Sequence, residues 1–335
     1  MDRSDLRGRY IVGAYATSPN LFSWDKDSEG AFFDSLKGLN SIRGLELPFW
    51  GESLHQFDDE WLLLNLHPNW QNVLTCVPGT MKNLGSDPYF GLASKKQSSR
   101  KNAINFYLDA YKSVSQLKNT FGEGSVIAIL ITSAPFINNE QLYADKENFI
   151  LSLGEILSWE WGKTKLLIEH CDAFGKQNQK PQKGFLSIED EIDSILNLNL
   201  KFSSNIGIVI NWGRSAIEYK DIKGPLIHIE QAIHNNILSG LMFSGTADND
   251  DNLYGAWSDL HMPPSNYLDF KFFESESLMS YDNIKNTLVK SDFEKLDFIG
   301  IKLLAKPSSS TIEKRVGINR DAMTLIDFAI DEIKN

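Results

Sequence analysis

Cysteine is almost absent: Cys76 and Cys171 are the two in 335 residues, and both stand inside apolar, strand-like runs. That scarcity excludes a disulfide framework and leaves reduced, buried thiols. Long apolar runs are missing too. No stretch approaches the roughly 18 unbroken apolar residues that a membrane helix requires. The opening MDRSDLRGRYIVGAY has no apolar segment before a small-residue cleavage site, so the chain is expected to stay in the cytoplasm. Positive charge is in deficit, 33 Lys and Arg against 44 Asp and Glu, for a net charge of −11. Phosphate backbones and anionic lipids are bound chiefly through Lys and Arg, so neither nucleic acid nor membrane is an expected partner. The basic run Lys95, Lys96, Arg100, Lys101 reads as a solvated loop entering a helix.

One absence is local. An open, doubly wound nucleotide-binding sheet wants a Gly-rich phosphate turn after its first strand, and here that strand runs into ATSPNLF.

What is present is a repeat. Short apolar, β-branched runs alternate eight times with longer amphipathic segments, the pattern of parallel βα units. The strands are predicted at 9–16, 41–47, 71–77, 126–133, 165–171, 206–211, 238–244 and 298–304. The helices are predicted at 29–39, 58–66, 101–121, 147–161, 187–203, 226–236, 278–296 and 311–333. Ala103, Phe106, Tyr107, Ala110, Val114 and Leu117 recur at three- and four-residue steps, one apolar stripe able to cover a barrel. Thr311 and Ser187 stand where side chains cap helix amides. Helix-to-strand links are terse, whereas the strand-to-helix links at 78–100, 172–186 and 245–277 are long. In a barrel the long links all emerge at the carboxyl rim, where this architecture does its chemistry. The expected fold is a single (β/α)8 TIM barrel over residues 1–335.

Polar groups switch on where the apolar runs stop. Glu169 ends the Leu166-Leu167-Ile168 run, where burial would raise its pKa and suit it to acid or base duty. A structural acid bridging two strands is the alternative. His170 and Asp172 follow, and strand alternation sends both to the side opposite Glu169. Glu46 ends the second strand as a second carboxylate, allowing division of labour between base and acid. Asn211, Trp212 and Arg214 close the sixth strand as a candidate sugar or carboxylate clamp, although Arg214 could equally neutralise Glu169 or Glu218. Ser244, Gly245 and Thr246, with Lys306 and Ser308 to Thr311, occupy loops that often bind phosphate in this fold, or simply cap the last helix. The segment YGAWSDLHMPP and then FFESESLM bring Trp257, Asp259, His261, Glu274 and Glu276 over the mouth as an expected lid.

At IEHCDA, NWGRSAIE, LELPF, CVPGTM and LMFSG the chain resembles the bacterial family described as domain of unknown function 4862. That family is similar in architecture to the xylose-isomerase-like barrels, and the resemblance spans nearly the whole chain. In the wider group, the resemblance implies a divalent metal held by acidic and His ligands at the ends of strands five to eight. Those stations carry Glu169, Asn211, Ser244 and Lys302 here, and an ammonium at the eighth repels a dication. Mg or Mn assembled instead from Glu169, His170, Asp259, His261 or Glu276 is the alternative cofactor.

The expected activity is on a carbohydrate or sugar acid by proton abstraction next to a carbonyl: an isomerase, epimerase or lyase. Glu169 would be the base, Glu46 or Glu276 the acid, with Lys302 and Arg214 holding the oxyanion. Lys302 as a Schiff-base amine is a variant of this reading. Asn211, Trp212, Arg214, His170, Ser244, Trp257 and His261 would bind substrate. Glycoside hydrolysis by two carboxylates, or sugar binding without chemistry, are the rival classes. A homodimer is a candidate assembly.

Overall fold

A computed structural model describes residues 9–20, 23–136, 143–174 and 181–335. Eight parallel strands close into a barrel in sequence order. They are β1 (Tyr10–Val12), β2 (Ile42–Pro48), β3 (Asn72–Thr75), β4 (Val126–Ile131), β5 (Lys165–His170), β6 (Gly207–Asn211), β7 (Leu238–Phe243) and β8 (Phe298–Ile301). Around them lie α1 (Lys26–Lys37), α2 (Asp59–Asn65), α3 (Val77–Leu84), α4 (Gln97–Phe121) and α5 (Lys146–Leu157). The ring is completed by α6 (Ile188–Phe202), α7 (Trp212–Tyr219), α8 (Gly224–His234), α9 (Tyr281–Ser291) and α10 (Ile312–Lys334). No helix among the described residues is long and apolar enough to cross a membrane.

The two-residue period of each strand sorts its side chains between two cores. Ile11, Val73, Leu130, Leu167, Val209, Met242 and Phe298 fill the barrel interior. Alternate residues such as Leu166, Ile168, Ile208 and Ile210 face the helices, where they meet the apolar stripe of α4 and the buried faces of α5, α6 and α10. The predicted caps form: Thr311 Oγ1 accepts the Lys314 amide at 3.2 Å, and Ser187 Oγ accepts that of Asp190 at 3.2 Å.

Several predicted boundaries move, and two helices are added. β1 stops at Val12 rather than 16, because residues Ala14–Ala16 turn into a single 3-10 helix whose end is held by Thr17, bonded through its hydroxyl to the Ala14 carbonyl at 3.1 Å. α3 and α7 begin directly at the tips of β3 and β6, where the polar rim sequence read as loop. Both span eight residues, too short for a periodic stripe to stand out. α9 begins at Tyr281, since Ser280 accepts the Asn283 amide and ends the lid segment there.

The serine tract after β8 is fixed by one buried side chain. Arg315 of α10 donates to the carbonyls of Thr17 (3.0 Å), Ser18 (2.8 Å), Ser310 (2.9 Å) and Ser308. Lys306 donates to the Leu253 carbonyl. The tract therefore serves as cap and buttress, which is the second of its two expected roles. Bonds to a charged group contribute about 1.5–3 kcal/mol each, so Arg315→Met should lower the unfolding free energy by about 3 kcal/mol. A change in the urea midpoint corresponding to less than about 1 kcal/mol would mean that water satisfies these carbonyls unaided.

Candidate active site

Inward alternation along β5 places Glu169 beyond Leu167, at the mouth, where two cations meet it. Arg214, in the first turn of α7, brings Nη1 to 2.6 Å from Glu169 Oε1, and Lys302, just past β8, brings Nζ to 3.3 Å from the same oxygen. Lys302 also pairs with Glu46 Oε1 at 2.7 Å, and Arg214 Nε pairs with Asp259 Oδ2 at 3.2 Å. Asp259 further contacts Lys183. The result is a chain of alternating charge, Glu46, Lys302, Glu169, Arg214, Asp259, Lys183, drawn from six separate segments. Glu46, Glu169, Lys302 and Arg214 are all essentially inaccessible to solvent. Gly13 makes room for it, since a Cβ there would lie 2.8 Å from Glu46 Oε2 and 3.0 Å from Lys302 Cγ.

The same chain separates the two acids electrostatically. Burial alone would raise Glu169, but Arg214 and then Lys302 outweigh it and hold its carboxyl below the ordinary value. At Glu46 burial prevails over the lone partner Lys302, and the negative Glu169 nearby adds to it, so its pKa is pushed up to about 7. The expected rise of the Glu169 pKa is thereby corrected: Arg214 and Lys302 hold its carboxylate ionised, and the upward shift falls on Glu46 instead. Burial disfavours the Lys302 ammonium, yet Glu169 and Glu46 reverse this and favour its charged form, opposite to the lowered pKa that a Schiff-base amine needs.

A cavity of about 460 Å³ lies over the β1–β2 side of the mouth. Phe32, Phe33, Leu54 and Leu62 form its apolar wall, and Tyr15, Glu46, Asp259 and His261 its polar edge. Glu46 Oε2 has no hydrogen-bond partner. Burial raises the Tyr15 phenol, which stays protonated as a donor. His261 is driven down to about 3, by burial and, against the pull of Asp259, by Lys302 and Arg214, so its imidazole is neutral. Its Nδ1 meets Ser244 Oγ at 2.8 Å, and its backbone sits at φ 53°, a strained conformation for a non-glycine residue. On the outer side His55 and Phe57 line the cavity, with Trp24 stacked on Phe57 at 5.5 Å. Trp24 and His55 are both tied to Glu29, at 2.8 and 3.4 Å.

Other expected residues fall elsewhere. His170 faces outward, as alternation requires, between Glu191 of α6 and Glu218 of α7. Trp212 is buried beneath α9 with its indole donating to Thr287 Oγ1 at 3.1 Å, so it is packing rather than a sugar plate. Asn211 is consumed locally: its Oδ1 caps α7 at the Arg214 amide and its Nδ2 lies 3.4 Å from Glu169. Trp257, at φ 48°, packs against the core. Glu276 is exposed and bonded to Asn249 and Ser275, away from the cavity. The alternative ligand set Glu169, His170, Asp259, His261, Glu276 is thus not assembled, and a dication at Glu169 would face Arg214 and Lys302 at bonding distance. The mouth does not fit Mg or Mn. Tyr15, Lys183, Glu29 and His55 went unsingled in the sequence; Tyr15 was hidden inside an overlong β1, and nothing local marks the others.

Comparison with known proteins agrees with this architecture. The family described as Domain of unknown function (DUF4862) matches residues 11–318. An uncharacterized protein of Salmonella typhimurium strain LT2 is 37% identical over 320 residues, covering 96% of this chain and 97% of that one. Among solved structures, a Rhodospirillum rubrum protein assigned as a xylose isomerase superposes with a TM-score of 0.59 at 8% identity, over 96% of this chain and 99% of that one. A family 2 AP endonuclease of Brucella melitensis gives 0.55 at 13%, over 94% and 98%. At such identities these structures share the fold, a xylose-isomerase-like TIM barrel.

Proposed function

From the premise that this chain belongs to the DUF4862 family and folds as a xylose-isomerase-like barrel, we propose that it is an enzyme of carbohydrate chemistry. It transfers a proton at the carbon next to the carbonyl of a small sugar or sugar acid, as an isomerase, epimerase or lyase. One observation carries the reading: a buried carboxyl, Glu46, with a pKa near 7 and an unpartnered oxygen, borders an apolar-walled cavity of about 460 Å³. Glu46 abstracts and returns the proton. The Tyr15 phenol and the neutral His261 imidazole donate to the oxygen on which negative charge develops. Lys302 and Glu169 set the proton affinity of Glu46 from behind, and Arg214 keeps Glu169 ionised. Apolar and aromatic walls suit the C–H faces of a sugar, while the polar edge suits its hydroxyls.

Two rival readings lose ground to specific observations. A glycosidase needs its sugar between two carboxyl groups, but Glu46 and Glu169 hold the same Lys302 nitrogen, at 2.7 and 3.3 Å, where the sugar would have to pass. The AP endonuclease shares the fold, yet a net charge of −11 opposes a nucleic-acid substrate here.

The test is solvent exchange. Incubation in deuterium oxide with a panel of ketoses, aldoses, uronic acids and their phosphates should give at least one compound a protein-dependent gain of deuterium, read by mass spectrometry. Absence of exchange across the panel removes the reading. For the exchanging compound, kcat/KM should fall as pH drops through about 7, because the base must be ionised and Glu46 takes up a proton there. A profile flat from pH 5 to 9 would assign the proton transfer to another group.

A further inference from the structure

On the outer side of β5, under α7 and α8, two buried imidazoles and a carboxylate converge on one point. His170 Nε2 lies 2.9 Å from Glu218 Oε2, and His228 Nε2 lies 3.5 Å from Glu218 Oε1. The ligand atoms of the three all fall within 4.8 Å of one another. None of them lines the cavity or belongs to the charge chain.

Each ring is anchored through its other nitrogen. His170 Nδ1 lies 2.7 Å from Glu191 Oε2, and Ser133 Oγ donates to the other oxygen of Glu191. His228 Nδ1 lies 2.9 Å from Ser215 Oγ. An imidazole whose Nδ1–H is donated outward presents the lone pair of Nε2, which is how proteins orient metal-ligating histidines. His228 Nε2 is fully buried, and the polar group it faces among the described residues is Glu218 Oε1, an acceptor, at the long distance of 3.5 Å. In the tautomer that donates Nδ1–H to Ser215, the Nε2 lone pair faces this oxygen in a dry site, and a cation between them relieves the repulsion. The Glu218 carboxylate is also steadied from outside, its Oε2 accepting the Ala173 amide at 2.8 Å.

We propose that His170, Glu218 and His228 hold one divalent transition-metal ion of the zinc class, a three-ligand site joining β5, α7 and α8. Two imidazole nitrogens and one carboxylate suit zinc, cobalt or nickel, whereas Mg and Ca favour all-oxygen sets. The ion replaces the proton that His170 otherwise shares with Glu218. His170 follows Glu169 on β5, and Glu218 stands one helical turn after Arg214 on α7, so the ion clamps from outside the two segments that carry the Glu169–Arg214 pair. The site stands apart from the reaction proposed above and holds or fails independently of it.

Full-length protein stripped with a chelator, loaded with Zn²⁺ or Co²⁺ and desalted should retain one ion per chain. The cobalt form should show the visible absorption of a low-coordinate nitrogen–oxygen site, and loading should raise Tm by several degrees. His228→Gln should lose the ion, the absorption and the Tm rise while keeping a native near-ultraviolet circular dichroism spectrum, and Glu218→Gln should do the same should the first variant fold poorly. Glu46→Gln, at the mouth, should keep all three. The proposal is overturned by a wild-type chain that retains no stoichiometric metal, or by His228→Gln and Glu218→Gln proteins that retain it unchanged.

Discussion

Exchanging Glu46 for glutamine should slow deuterium exchange and turnover by about 10²–10⁴-fold, the range that general acid–base catalysis contributes. The amide keeps the shape and removes the proton-accepting oxygen, so KM should change much less than kcat. Stability should move the other way. Glu46 is pushed up from 4.5 to about 7 in the folded chain. Between those values the native state therefore binds a proton that the unfolded chain has released. The stability attached to that proton is fully present below pH 4.5 and is lost as pH rises through about 7. At pH 8 the wild-type chain carries a buried carboxylate that the variant lacks. Glu46→Gln should then be the more stable protein, with the difference vanishing near pH 4. Denaturation curves at the two pH values, beside the exchange rates, decide it. A variant that retains activity, or is less stable at pH 8 than the wild type, removes Glu46 from the proposed role.

Glu169 should behave in the opposite manner. Its carboxylate is the shared counter-ion of Lys302 and Arg214 in a dry interior. Breaking a buried pair by removing one partner costs about 3–5 kcal/mol, because the remaining charge stays buried. Glu169→Leu is expected to lose that much in urea denaturation, and part should return in the double variant Glu169→Leu/Lys302→Met, where the uncompensated ammonium is also gone. Because Glu169 raises Glu46, its removal should also move the pH limit of activity below 7 in whatever folded protein remains. A stability loss under about 1 kcal/mol would show that water or Asp259 already satisfies these cations.

The two variants together explain how far a linear reading could go. Alternation along β5 separated Glu169 from His170, and the structure obeys it through the last residue of the strand. The eight strands, the caps at Ser187 and Thr311 and the convergence of long links at one rim were likewise legible, because each depends on a period or on neighbours within four residues. α3 and α7 were not, since eight residues pinned at the end of a strand give barely two turns, too few for a periodic pattern to stand out.

The roles of the acids illustrate the remaining gap. In the sequence Glu169 and Glu46 are alike, carboxylates closing apolar strands, and burial should raise both. Their fates diverge because Arg214 lies 45 positions after Glu169, and Lys302 lies 133 after it, and the closed barrel delivers both cations to Glu169 but only one to Glu46. Glu276 and Trp212 went astray for a related reason: a chemically able residue near the rim is useful only if its side chain turns toward the cavity, and theirs turn toward solvent and toward α9.

By itself, then, the sequence determined the barrel, its polar rim and the face of β5 on which each side chain stands, since hydrophobic period and local capping are properties of neighbouring residues. Which carboxyl is held ionised and which is pushed up toward neutrality, and that His170, Glu218 and His228 meet behind the wall, was decided by the tertiary structure. Electrostatic energy depends on distance in space between groups dozens of residues apart, and closing the barrel sets those distances.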